Sequence, residues 1–406
     1  VHLTRTFKTV CRRVAVAGVV VSTLVAATGA SAQADPVSDL LAQARSILAT
    51  ATSADPLKVV ITTDTGGAPS ISSVRATSGA NALELIVAAL KKPSTIGVDM
   101  AHPVKMAASN DPYRKYQWGL DLFNAESRWK TSKGTGVVVA VVDTGVSASH
   151  PDFKGRVLSG RDFIAPGTSA NDANGHGTHV AGIIAANANN DVGGAGLAPR
   201  VKILPVRVLD ATGEGDNAGV ASGIIWAAKK GAKVINLSLG STQNDTAIKE
   251  AVSYAQSLNV VVIAAAGNEG CGLLGTPTSY PAAYPGVLGV GAISKDRTVA
   301  SYSSCGSWVD VVAPGSAIVS TMISSANSDL GCTPGKRYCT LSGTSMATPF
   351  VAATAALEIA RLGGHFSQAS IISRLQSTAT DLGRSGRDND YGYGLISPSR
   401  MLAGAN

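Results

Sequence analysis

The chain has 406 residues, 45% hydrophobic and 15% charged, with 44 Gly and only 6 Phe. Such a composition suits a Gly-rich globular protein with one large domain and a smaller one, and it excludes collagen, coiled coil and wholesale disorder. The formal net charge is +7, but Arg5, Lys8, Arg12 and Arg13 supply four of those charges at the very start, and the rest of the chain has no arginine stripe interleaved with aromatics, so nucleic acid is not expected as a partner.

Those four cations precede the apolar run Val14 to Ala27 and the small residues Ala30-Ser31-Ala32-Gln33-Ala34, the pattern of a secretory signal peptide. The run is short for the ~20 residues of a spanning helix. Residues 1–34 are therefore read as a removable signal, and the protein as secreted and extracellular with no membrane anchor. Removal of Cys11 with the signal leaves Cys271, Cys305, Cys332 and Cys339. An even set in an oxidising compartment favours two disulfides over free buried thiols. Of the three pairings, Cys332 with Cys339 closes a short loop holding Pro334 and Gly335, which leaves Cys271 for Cys305.

Residues 35–108 read as a small α+β unit. It has a β-rich stretch Lys58 to Thr62, a Gly/Ser-rich middle, a helical run Asn81 to Lys92 stopped by Pro93, and Ile96-Gly97-Val98. A core of this size is marginal, so its stability is expected to depend on docking to the larger domain after it. In residues 109–406 the pattern changes from Gly136 onward. Val137 to Val142, Lys202 to Leu209, Val234 to Leu239 and Val260 to Ala265 are near-continuously apolar, as parallel strands covered on both faces tend to be. Between them Ala218 to Lys230, closed by Gly231, and Asp245 to Leu258 are helical. The alternation predicts an α/β fold: a doubly wound, mainly parallel sheet with helices on both faces, whose sites gather beyond the carboxyl ends of the strands.

Four short motifs fall at such places. Asp143 ends the first of these strands, ahead of Thr144-Gly145; taken alone it is a turn cap. His176 lies in Asn174-Gly175-His176-Gly177-Thr178-His179, at a helix start. A zinc pair of His176 and His179 is disfavoured, since no Glu intervenes as in the metalloprotease helix and no cysteine cluster lies near. Ser345 lies in Ser342-Gly343-Thr344-Ser345-Met346-Ala347-Thr348-Pro349 ahead of an apolar helix, where an N-cap is the ordinary role and an oxyanion-stabilising nucleophile the functional one. Asn268 ends a strand between Gly267 and Glu269-Gly270. One explanation covers all four, because a serine hydroxyl is a weak nucleophile until an imidazole takes its proton and a carboxylate fixes that imidazole's tautomer.

In the chain order Asp, His, Ser, with these motifs, residues 110–402 resemble the subtilisin-like serine proteases. Asn110-Asp111-Pro112-Tyr113 is similar to the thermitase-like branch; Ser238-Leu239-Gly240 and Tyr391-Gly392-Tyr393-Gly394-Leu395-Ile396 match further. The resemblance implies a serine endopeptidase with Ser345 as nucleophile, His176 as base and then acid, Asp143 as its orienting partner and Asn268 as oxyanion donor. It implies that Leu239-Gly240 and Gly213-Glu214-Gly215 flank an extended polypeptide substrate, with Glu269 at the rim and Ser279 at the floor of the specificity pocket. Glu269, Glu214 and Asp216 are expected to let a broad apolar pocket tolerate Lys and Arg. It also implies that residues 35–108 are a propeptide acting as chaperone and inhibitor, and that Asp111, Asp152 and Asn190, with carbonyls of residues 188–194, hold a structural Ca2+; autocatalytic cleavage is expected between Lys105 and Asn110, where the composition changes and the Ala107-Ala108-Ser109 run suits a substrate cleft. A monomer is expected. Phe350 departs from the family, which usually has His there, and Thr144 departs from the Asp-Asp-Gly of the kexin branch. A catalytically silent binding protein of this fold would have lost a triad residue; a dinucleotide-binding oxidoreductase would need a Gly-x-Gly-x-x-Gly turn after the first strand. Neither condition holds.

Overall fold

The structure is a computed structural model that describes residues 36–49, 57–100, 109–272, 276–325 and 330–403; the statements below concern these residues. The signal-peptide reading of residues 1–34 and most of the expected cleavage stretch lie outside them. The chain divides into two compact units, Val1–Ala107 and Ala108–Asn406.

In the first unit α1 (Pro36–Ala49) and α2 (Gly79–Leu90) accompany β1 (Lys58–Thr63), β2 (Ser70–Arg75) and β3 (Thr95–Met100). The strands form an antiparallel sheet of order β2-β1-β3. Its small core gathers Ala44, Val59, Ile86, Val98 and Met100. Ser78 caps α2 by accepting the Asn81 N–H. Strand β2 occupies the stretch that the sequence offers only as a Gly/Ser-rich middle. All six of its residues are exposed, so its backbone ladder with β1, rather than side-chain burial, holds it.

The second unit is built on seven parallel strands in the order β10-β9-β8-β7-β4-β6-β5. These are β4 (Val138–Asp143), β5 (Arg161–Asp162), β6 (Lys202–Arg207), β7 (Val234–Leu237), β8 (Val261–Ala265), β9 (Leu288–Ile293) and β10 (Val311–Pro314). A separate hairpin pairs β11 (Ile318–Thr321) with β12 (Tyr338–Leu341). After the short helices α3 (Trp118–Phe123) and α4 (Ala125–Arg128) come α5 (His176–Ala185), α6 (Asn217–Lys229), α7 (Thr246–Ser257), α8 (Thr344–Arg361) and α9 (Gln368–Ser377). Helices α5 and α8 pack together against the sheet, as do α6 and α7, which gives the layered α/β fold that the sequence predicts.

Helix α8 is buried nearly all round, from Met346 to Ile359, which explains its almost uniformly apolar sequence. Phe350 meets Phe123 edge to face with ring centroids 5.7 Å apart, so the departure at this position serves packing. Both expected disulfides are present, Cys271–Cys305 and Cys332–Cys339. The sheet order β8-β7-β4 sets three strand ends side by side, and beyond them lie Asn268, Ser238 and Asp143.

Candidate active site

Asp143 is fully buried at the end of β4. Its Oδ1 accepts the Thr144 N–H at 2.7 Å and stands 2.8 Å from His176 Nδ1. A carboxylate can only accept, so Nδ1 carries the ring proton and Nε2 is left as the basic nitrogen. Gly177 permits this approach: a Cβ there would run into the Gly145 carbonyl and come within 3.1 Å of Asp143 Oδ1.

Burial disfavours the His176 imidazolium, but the Asp143 charge, its hydrogen bond and the Asp172 charge outweigh burial, and the pKa is raised above 6.5. A general base must be neutral, so the raised value moves the loss of activity on the acid side upward. The acid limb of kcat/KM is expected to have its midpoint above 6.5, which a pH profile with a neutral peptide substrate checks. A midpoint well below 6.5 would contradict it.

Ser345 lies at the N-terminal end of α8. Its hydroxyl donates to the Ser238 carbonyl at 3.1 Å, and the Ser238 hydroxyl donates to the Ser345 carbonyl at 2.8 Å. Asn236, buried in β7, donates from Nδ2 to the Ser238 hydroxyl at 2.9 Å. Ser345 is thereby tied to the end of β7, and its hydroxyl would have to turn from that carbonyl to pass a proton to a base.

Asn268 is oriented by the residue before Ser345. The Thr344 N–H donates to Asn268 Oδ1 at 2.9 Å, and the Thr344 hydroxyl lies 3.0 Å from the same oxygen. A backbone N–H can only donate, so the atom facing it is the amide oxygen, and Nδ2 is the free donor. A Cβ at Gly343 would sit 3.6 Å from Asn268 Nδ2 and 3.7 Å from Ser345 N. Gly343 thus lies beside both the Asn268 amide and the Ser345 N–H, two groups able to stabilise an oxyanion. The chain carrying Asn268 is itself pinned: Trp308 Nε1 donates to the Ala266 carbonyl, Ser304 N to the Gly267 carbonyl and Gly270 N to the Tyr302 carbonyl. The Cys271–Cys305 bridge closes that segment.

Of the other residues singled out by sequence, Gly240 faces Ser279: a Cβ on Gly240 would lie 3.0 Å from the hydroxyl of this buried serine. Leu239 is half-buried beside it. Gly213, Glu214 and Gly215 come after a turn at Asp210, and Asn174 Nδ2 bonds the Ala211 carbonyl at 2.9 Å, tying this loop to that of His176. The acids divide. Glu269 accepts the Ser304 hydroxyl at 2.6 Å and Asp216 caps α6 through the Gly219 N–H at 2.7 Å, whereas the Glu214 carboxylate has no hydrogen-bond partner among the described residues. Two of these three acids thus have local bonding roles. His179 is buried with Nε2 at 3.1 and 3.2 Å from the Ile318 and Cys339 carbonyls. Burial pushes its pKa down to about 3, so it is a neutral donor joining α5 to the β11–β12 hairpin.

Elsewhere, buried Asp111 and Asp152 converge on residues 189–194. Asp111 accepts the N–H groups of Asn189 and Asn190 at 2.8 and 2.9 Å; Asp152 is bonded by Asn190 Nδ2 at 2.9 Å and the Tyr338 hydroxyl at 3.1 Å. Neither acid forms an ion pair with a described Lys or Arg. Burial, added to by the Asp111 charge, pushes the Asp152 pKa up to about 6. The residues that sequence reasoning passed over are Asp172 and Thr344; Asp172 reads as one more turn acid in Asn171-Asp172-Ala173-Asn174.

Residues 134–394 match the model of the Subtilase family. Thermitase of Thermoactinomyces vulgaris is 44% identical over 278 residues, covering 68% of this chain and 93% of thermitase. Subtilisin DY of Bacillus licheniformis is 41% identical over 280 residues, 69% of this chain and 96% of that protein. Among solved structures, a protease of Pseudoalteromonas arctica superposes with a TM-score of 0.65 at 30% identity, covering 73% of this chain and 99% of its own. A parallel sheet with Asp143, His176 and Asn268 at its strand and helix ends, together with these likenesses, leads to one conclusion: the chain belongs to the subtilase family and is a thermitase-like serine endopeptidase.

Proposed function

We propose that this endopeptidase works through Asp143, His176 and Ser345, and that it is made as a secreted, self-processing zymogen of broad specificity. The observation that carries the reading is the 2.8 Å contact of His176 Nδ1 with Asp143, which leaves Nε2 as the basic nitrogen; Ser345 stands at the N-terminus of α8. Ser345 Oγ attacks the scissile carbonyl as His176 takes its proton; Asn268 Nδ2 and the Ser345 N–H receive the oxyanion. The imidazolium then protonates the leaving amine, and water attacks the acyl-enzyme by the reverse roles. A substrate strand lies between residues 239–240 and 213–215, and Ser279, a neutral residue, is consistent with a pocket that does not demand a charged side chain. The protein acts as a monomer; among the described residues no helix is long and apolar enough to cross a membrane.

Residues 1–34 are the signal peptide and 35–108 the propeptide, which folds and inhibits residues 109–406 until it is cut between Lys105 and Asn110. The test is the N-terminus of the secreted wild type and of Ser345→Ala. The wild type is expected to start within 106–110 and the variant to keep its propeptide; a variant that matures normally with no other protease present would overturn self-processing.

Asp111, Asp152 and Asn190, with carbonyls of residues 188–194, form the place for a structural Ca2+. Two buried acids without a described cationic partner suit a hard cation with oxygen ligands, and the raised pKa of Asp152 expresses the same need for positive charge. Bound calcium would tie residues 109–111 and the 188–194 loop together. Chelation is expected to lower the Tm of protein blocked against self-digestion by ~5 °C or more. Unchanged melting after chelation, with no residual metal by elemental analysis, would remove the site.

A further inference from the structure

We propose that Asp172 is a positioning residue for the catalytic base: it fixes the first turn of α5, which begins with His176, against the end of β4, and adds a second negative charge to the surroundings of that turn. The proposal rests on His176 being the base.

Asp172 is 3% exposed, and its oxygens take five hydrogen bonds. Oδ1 accepts from Asn174 N at 2.9 Å, Gly175 N at 2.8 Å and the Thr144 hydroxyl at 2.8 Å; Oδ2 accepts from Thr178 N at 2.8 Å and the Thr178 hydroxyl at 2.6 Å. Three of these donors are backbone N–H groups, which cannot reverse, so the pocket is made for a carboxylate even though burial pulls its pKa upward. Four of the five come from residues on either side of His176. Helix α5 has Gly175 as its N-cap and no side-chain cap from that residue, and Asp172 takes over one of the N–H groups left free in the first turn.

The fifth bond reaches the other half of the site. Thr144 comes directly after Asp143; its hydroxyl donates to Asp172 and accepts the Gly177 N–H at 2.9 Å, while its own N–H donates to Asp143 Oδ1 at 2.7 Å. The carboxylate that orients the imidazole and the turn that carries it thus hang on one network. Their backbones also run close: Val146 N donates to the Ala170 carbonyl at 3.0 Å, and a Cβ at Gly145 would come within 2.7 Å of the Asn171 carbonyl oxygen.

A plain helix cap would change stability and nothing else, whereas a positioning charge also changes how the base titrates. The charges bearing on His176 are Asp143 from β4 and Asp172 from the loop before α5. His179, one turn along α5, is neutral. On the loop joined to Asn174, Asp210 is half-buried and bonded within its own turn, and Glu214 is exposed. Charged groups on other elements packed against α5 are engaged elsewhere: Asp152 with Asn190 and Tyr338, Arg207 with Asp162, and Glu358 with Arg361 and Arg374.

The experiment compares wild type, Asp172→Asn, Thr144→Val and His176→Ala, each expressed as the full chain and freed of residues 35–108 by added active protease that is then removed. It reads kcat and KM for one peptide and the pH dependence of fluorophosphonate labelling at Ser345. Asp172→Asn is expected to lower kcat roughly 10- to 100-fold with KM nearly unchanged, and to move the acid limb of labelling down by a few tenths to ~1 pH unit. Thr144→Val, which keeps the carboxylate and its other donors, is expected to lower kcat with a smaller limb shift. An Asp172→Asn protein with a wild-type limb and kcat, altered only in melting temperature, would show a structural cap and overturn the proposal. Should Asp172→Asn fail to fold, a folded Thr144→Val with wild-type kcat overturns it equally. His176→Ala separates the two levels: retained labelling there would refute the base itself, whatever Asp172 does.

Discussion

Ser345→Ala, freed of its propeptide by another protease that is then removed, is expected to lower kcat for peptide hydrolysis by about 10^6-fold, the size of loss that removing the nucleophile causes in subtilisin. The substitution deletes one hydroxyl and its bond to the Ser238 carbonyl, while the bond from the Ser238 hydroxyl to the Ser345 carbonyl is retained. Folding should therefore survive with a change in stability of about 1 kcal/mol, and KM should stay near wild type. Active-site-independent quantitation of protein with a sensitive peptide assay checks both numbers. Residual activity within tenfold of wild type would mean that another nucleophile does the chemistry.

Asn268→Ala should cost about 10²- to 10³-fold in kcat, the range found for the matching donor in subtilisin, again with little change in KM. Thr344 holds the amide oxygen from one side through its N–H and hydroxyl. Nδ2 is thus aimed before substrate arrives, and its bond strengthens only as charge develops on the carbonyl oxygen. Steady-state kinetics decide the matter: a loss carried in KM with kcat preserved would make Asn268 a substrate-binding residue rather than an oxyanion donor.

The central strands were legible because burial on both faces leaves β4, β7 and β8 almost purely apolar. Strand β9 was not, since its sequence Leu288-Gly-Val-Gly-Ala-Ile reads as a flexible run. Its glycines are tertiary requirements: a Cβ on Gly289 would collide with the Trp308 carbonyl oxygen, and one on Gly291 would crowd Val312. Strand β2 escaped notice for the opposite reason, being fully exposed and without alternation of burial. In the site, Asp143, His176, Asn268 and Ser345 stood out because each sits in a short motif at an element end. Asp172 did not, because its importance lies in a bond to Thr144, 28 residues away. The position of Glu269 was readable, but its engagement by Ser304 was not, since a partner 35 residues downstream leaves no local trace.

The relation between Asp152 and the 188–194 loop illustrates the same limit. Sequence motifs suggested three ligands, yet only the fold shows that Asp152 is wholly buried and also bonded by Tyr338 of β12. The Cys332–Cys339 bridge anchors that strand beside it. Residues 152, 188–194 and 338 are thus tied together by side chains from distant parts of the chain.

Covalent labelling tests the central claim most directly. Purified mature protein treated with a fluorophosphonate near pH 8 and digested for mass spectrometry should carry one adduct, on Ser345, with loss of peptidase activity in proportion to the labelled fraction. No adduct on Ser345 in a folded protein that still cleaves peptides would contradict the account.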